Sequence, residues 1–145
     1  MKVIITYSLA YLIFSLTGCR DRVETSKKEF LTGNSSKRWK IVRTVANGSE
    51  TPVSECLKDD VLILSESGEA ITKTGKLKCD PNEGEEIIGW WNFSMDSTEL
   101  TLGSEISMRV KILEISNSSM KLEEIDSTRK DGKSGNIVTF VKMDN

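Results

Sequence analysis

"DVLILSESGEAITKT" runs from Asp60 to Thr74. Two runs rich in aliphatic and β-branched residues, 60–65 and 69–74, flank Ser67-Gly68, the composition of an antiparallel hairpin. With a two-residue turn, Glu66 faces Glu69, and partners along the hairpin have residue numbers that add to 135. Cys56 and Cys79 also add to 135. Pairing carried past Asp60 would bring them opposite one another, where antiparallel Cα atoms lie about 4.5–5.5 Å apart, within disulfide range. A three-residue turn would move this register by one residue.

The same signature repeats outward from this hairpin. "RWKIVRTV" (38–45) sets Trp39, Ile41 and Val45 against Arg38, Lys40 and Thr44. "EIIGWWNFS" (86–94) is aromatic and β-branched, and "TELTL" (98–102) follows a turn at Asp96-Ser97. "EISMRVKILEI" (105–115) carries Ile106, Met108, Val110 and Ile112 at period two. "SMKLEEI" (119–125) follows Asn117-Ser118, and "NIVTFVKM" (136–143) follows the loose "DSTRKDGKSG". Eight short strands in close succession predict an all-β fold, an up-and-down antiparallel meander. Closing it into an eight-stranded β-barrel removes both exposed edges. A short helix or turn is expected over 26–33, with Gly33 as its stop. There is neither an internal repeat nor a second domain, and the domain is expected to span 30–145.

The amino terminus has a different character. One positive residue, Lys2, precedes the uncharged run Val3–Leu16, the layout of a secretory signal peptide over residues 1–18. Fourteen helical residues reach roughly 21 Å, short of a hydrocarbon core of ~30 Å. The run closes in "LTGC" (16–19), which resembles the bacterial lipobox: an aliphatic residue, two small residues, cysteine. That resemblance implies cleavage after Gly18, a diacylglyceryl thioether on Cys19, and acylation of the new amine by a chain such as palmitate. One acyl chain holds a membrane only marginally, whereas two or three make release slow. Residues 19–29, nearly all polar, then read as a flexible tether. The expected location is the cell envelope, lipid-anchored to a membrane, with the outer membrane facing periplasm or surface as the expectation.

Without residues 1–18, which hold Lys2 and no acid, the chain carries 19 basic and 22 acidic residues, a net charge near −3. That balance argues against a nucleic-acid partner. With Cys19 assigned to lipid, Cys56 and Cys79 remain, and in an exported chain they most simply form a disulfide; two free thiols are the alternative. The chain has no histidine, so Ser-His-Asp and Cys-His chemistry is excluded and acid–base work would fall to carboxylates. No phosphate loop, dinucleotide fingerprint or G-x-S-x-G motif is present. No enzyme activity, cofactor or metal is expected. Asp59-Asp60 and the run Glu83-Gly84-Glu85-Glu86 lack the spacing of a calcium loop and read as solvated acidic loops.

Three blocks in order resemble the lipocalin-like domains of bacterial lipoproteins. They are "FLTGNSSKRWKIV" (30–42), "CLKDDVLILSESGE" (56–69) and "KCDPNEGEEIIGWWNFSMDSTELTL" (78–102), the last with a Gly-x-Trp at Gly89 and Trp91. The resemblance implies a small eight-stranded barrel and a cup for an apolar ligand. On the expected inner face lie Trp39 and Trp91, with Ile41, Phe93 and Leu102. Trp39, Trp91 and Phe93 are the candidate ligand wall, or else plain core. Arg43 shares their parity and is the candidate for binding a ligand carboxylate at the mouth, or else a rim residue, salt-bridged or solvated. Trp90 points away from Trp91. "DST" at 96 and 126 resembles a bacterial O-glycosylation pattern at accessible strand ends. Two functions are carried forward: a membrane-anchored barrel that binds something small and apolar, and a non-catalytic envelope module whose packed barrel meets another protein. An open cavity separates them.

Overall fold

The computed structural model describes residues 27–125 and 135–144. The signal peptide, Cys19, tether residues 20–26 and the second "DST" lie outside the described residues. Among those described, nine strands form one antiparallel sheet: β1 Ser36–Ala46, β2 Ser49–Thr51, β3 Val61–Ser65, β4 Glu69–Lys73, β5 Glu86–Phe93, β6 Glu99–Gly103, β7 Ser107–Ile115, β8 Ser119–Glu124 and β9 Ile137–Lys142. Neighbours in sequence pair from β3 through β9. The two ends of β1 then join the first and last of them: residues 36–39 pair with β3 and residues 39–45 with β9. Eight strands therefore close into the up-and-down barrel, and β2 hangs from the end of β1 as a short flap. The flap turns at Asn47-Gly48, both in the left-handed region at φ 52° and 78°. Such a two-residue turn favours this residue pair.

The hairpin at 60–74 forms, but with a three-residue turn. Ser65 faces Glu69 across Glu66-Ser67-Gly68, and the ladder runs Leu64↔Ala70 to Val61↔Lys73. Gly68 takes φ 89°, the position such a turn gives to glycine. The register is thus one residue away from the expected one. Pairing ends at Val61, and it is the loops beyond that bring Cys56 and Cys79 together, with Cα atoms 5.1 Å apart. Two side chains reinforce the same junction. Gly75 N–H donates to Asp60 Oδ1 (2.8 Å) and Lys76 N–H to Asp59 Oδ2 (2.7 Å). The acidic pair is therefore a clamp on backbone, tying the loop before β3 to the loop after β4.

Two bulges break the period-two pattern. β1 slips against β9 between Ile41 and Arg43, and β7 slips against β8 between Ile112 and Glu114. Each inserts one residue, Val42 and Leu113, which are 48% and 39% exposed. Beyond a bulge the faces exchange. Thr44, paired with Val138, takes the inner side instead of Val45, and Arg43 is turned out. On β7 the slip lets Ile115 follow Ile112 into the core.

One end of the barrel is plugged. Residues 27–32 are helical and stop at Gly33 (φ 62°), whose N–H donates to Glu29 O at 2.8 Å. Residues 27–29, counted with the tether on sequence grounds, belong to this helix. Leu31 and Thr32 are fully buried. Two side chains of β1 fasten the plug. Trp39 Nε1–H donates to Leu31 O (2.9 Å), and Lys37 Nζ donates to Phe30 O (2.6 Å) and Asn117 Oδ1 (2.9 Å). Burial holds the Lys37 ammonium below the usual lysine range; nearby Lys142 lowers it further and Glu29 pulls the other way. Lys27 Nζ donates to Ser97 O in the β5–β6 turn. That turn is set by Asp96, which accepts from Ser94 Oγ–H, Thr98 Oγ1–H and Thr98 N–H and is thereby lowered to about 2. Ser97 is 5% exposed, so the serine of the first "DST" is not the accessible site its sequence position implied.

Replacing Cys56 and Cys79 together by alanine should lower the unfolding free energy by about 3 kcal/mol in the chain-entropy picture. Urea denaturation of the oxidised and substituted proteins measures it, and equal midpoints would show that the aspartate clamps alone hold the junction.

Candidate ligand-binding cavity

The barrel is filled in one half and hollow in the other. Toward the plug, Leu64, Trp91, Leu100, Val110, Met120 and Leu122 pack into one buried cluster with Leu31 and Trp39. Phe93 meets Trp91 edge-on, centroids 5.5 Å apart, and Trp91 Nε1–H donates to Ser65 O (2.9 Å). Toward the mouth, the inward residues shrink. On β5 the inner series is Ile87, Gly89, Trp91, Phe93; on β4 it is Ala70, Thr72. A Cβ on Gly89 would sit 2.0 Å from Gly103 O, so the approach of β6 requires glycine there and leaves the space inside unfilled. The result is a cavity of about 300 Å³. Trp39 lies at its base; Ile41, Leu62, Leu102, Met108 and Phe140 supply apolar wall. Its polar side chains are Thr72, Ser104 and Asp60. Ile106, expected on a strand, stands in the β6–β7 loop at the mouth, 84% exposed.

Of the four residues nominated from sequence as ligand-binding, one lines the cavity. Trp39 is that residue, with no exposed surface. Trp91 (5% exposed) and Phe93 are on the inner face as expected but belong to the packed layer beneath. Arg43 is a correction. The bulge at Val42 carries it to the outside, where its guanidinium pairs with Glu50 at 2.8 Å and its side chain is 55% exposed. It is the rim, salt-bridged alternative that the molecule adopts. Trp90 lies on the outer face, 43% exposed, its ring within 2.7 Å of where a Cβ on Gly103 would be, an aromatic covering a cross-strand glycine. The residues missed from sequence are the small ones, Ala70, Thr72, Gly89 and Gly103. Their signal was available for three of them: Ala70, Thr72 and Gly89 are small residues at inward positions of strands otherwise lined by large ones, whereas Gly103 lies on the outer face beneath Trp90 and lines the cavity through its backbone. Among the described residues no group of three or more His, Cys, Asp or Glu is placed to hold a metal.

A closed antiparallel barrel, plugged by a helix at one end and hollow at the other, is a β-barrel cup. The family model of the lipocalin-like domain matches residues 36–122, more than half of the chain, and the chain belongs to that family. Comparison with curated proteins finds no match.

Trp39→Phe keeps most of the ring volume and removes the indole N–H, leaving the buried Leu31 carbonyl without that donor. It should destabilise the barrel by about 1–3 kcal/mol. Urea midpoints measure this, and a loss smaller than that of Trp91→Phe would show that the plug does not depend on the bond.

Proposed function

We propose that this lipocalin-like protein is a membrane-anchored, non-catalytic binding protein that holds one small apolar ligand in the open half of its barrel. The observation that carries the reading is the cavity itself. At about 300 Å³ it lies at the lower bound of small-molecule sites, and its lining is mostly apolar with few polar groups. A barrel packed solid, as an interaction module would have, accounts for the closed half and leaves the open half unexplained. Against catalysis stand the absence of histidine from the sequence and the engagement of Asp60 with the backbone of Gly75. The clamps at the mouth favour a preformed site, which lessens the ordering that binding requires.

The anchoring half of the proposal rests on the leader and the lipobox-like "LTGC" ending at Cys19. The described chain starts in the plug helix, at the end opposite the mouth. A lipid on Cys19 would therefore hold the barrel by its closed end and leave the mouth free.

Titration with N-phenyl-1-naphthylamine should give saturable fluorescence enhancement, and Thr72→Phe, which projects a ring into the cavity, should weaken it at least about tenfold, on the order of 1.4 kcal/mol. No enhancement with the unaltered protein would refute the ligand reading. Cys19→Ser should move the protein from the membrane to the soluble fraction; retention in the membrane with an uncleaved leader would refute the lipid anchor.

A further inference from the structure

We propose that the cavity selects amphiphiles with a cationic head, preferring an amine to a carboxylate on the same apolar body. This rests on the ligand reading above and adds the chemistry of the ligand's polar end. Among the described residues that line the cavity, Asp60 is the only one with a charged side chain. Arg43, the cation that might have received a carboxylate, is on the outside.

The cavity does not end at the strand edge. Ile87, Gly89 and Ser104 line both it and a second groove on the outer side of β5. The two meet at a notch along Ile87, Gly89 and Ser104, where Gly89 contributes no side chain, while the Trp90 ring covers Gly103 on the outer face. The charged residues of the groove are Glu83, Glu86 and Glu105, all acidic. Glu86 is paired with Lys73 at 2.9 Å, whereas the Glu83 and Glu105 carboxylates make no ion pair among the described residues; the Lys78 ammonium donates to the Glu83 main-chain carbonyl at 2.6 Å. The half-exposed indole of Trp90 lines the same groove and offers a ring face to a cation. An apolar body that fills about 300 Å³ brings its polar end to this notch. An ammonium there meets two unpaired carboxylates and an aromatic ring. A carboxylate meets like charge at the notch and at Asp60.

The test displaces bound N-phenyl-1-naphthylamine with decylamine, decanol and decanoate at low ionic strength. Decylamine should compete best and decanoate worst, with about tenfold between them. The gap should narrow as salt is added. Glu83→Gln combined with Glu105→Gln should bring decylamine to the level of decanol, while Glu50→Gln, which removes one negative charge from the outer flap, should keep the preference. If the three compete equally, the inference fails and the ligand reading stands. If the probe does not bind the unaltered protein, both fail. Should Asp60→Asn remove the preference and the double glutamate variant keep it, the head lies inside the cup and the route through the notch is wrong.

Discussion

The indole of Trp39 sits where the barrel changes from filled to hollow, and both halves depend on it. Its N–H is bound to the Leu31 carbonyl, so the ring fixes the helix that plugs the closed end. The same residue lines the cavity. Lys37, two residues earlier on the same face, lies 5.4 Å from the ring centroid and bonds the next carbonyl of the plug, that of Phe30. Two side chains of one strand thus satisfy carbonyls at a helix end that would otherwise be buried without donors. A ring with no exposed surface contributes burial as well as this bond. The buried amine at Lys37 is tolerable only because polar atoms surround it.

Above that level the barrel holds its shape without a core. A closed sheet has no free edge to collapse, and its ladder bonds are independent of what fills the lumen. What the absent core would have supplied at the mouth comes instead from cross-loop ties: the Cys56–Cys79 bridge and the carboxylates of Asp59 and Asp60. All three join the same two loops. The emptiness is enforced rather than accidental, since Gly89 cannot gain a side chain without meeting the backbone of β6.

Period-two alternation carries the strand order, and tight turns between strands carry the meander, so the closed barrel is legible in the sequence. What alternation cannot carry is a slip. Val42 and Leu113 are ordinary apolar residues in ordinary strands, and nothing in "IVR" or "ILE" announces that one residue there is unpaired. Only the partner strand reveals it, and the consequence reached the site: Arg43 changed face. The hairpin at Ser67-Gly68 shows the same limit, because glycine fits either turn length and the register depends on which forms. The disulfide pairing came out right although the register assumed for it did not, since flexible loops absorb one residue where a ladder cannot. Asn47-Gly48, by contrast, is a hairpin signal readable in the sequence, and it forms the turn of the β1–β2 flap. The cavity was least legible. A binding wall was sought among large aromatic residues, which here fill space, while the hollow is made by small ones.

The positions of plug and mouth also bear on where a ligand can come from. If the lipid is on Cys19, residues 20–26 separate it from the plug, and seven extended residues reach at most about 25 Å. The nine residues of β7, tilted as barrel strands are, give the cup a height of the same order. With that anchor and the barrel upright on it, a mouth at the far end would open into water near the membrane and not into the hydrocarbon. A ligand drawn from that membrane would first leave the bilayer, so a purely apolar molecule would pay its hydration penalty before reaching the cup. A molecule with a charged end keeps that end hydrated throughout, and the walls at the mouth determine which sign of charge it can carry. In the proposed reading the apolar cavity and its acidic surroundings would act on different parts of one ligand: the first would reward burial of the body, and the second would discriminate between heads.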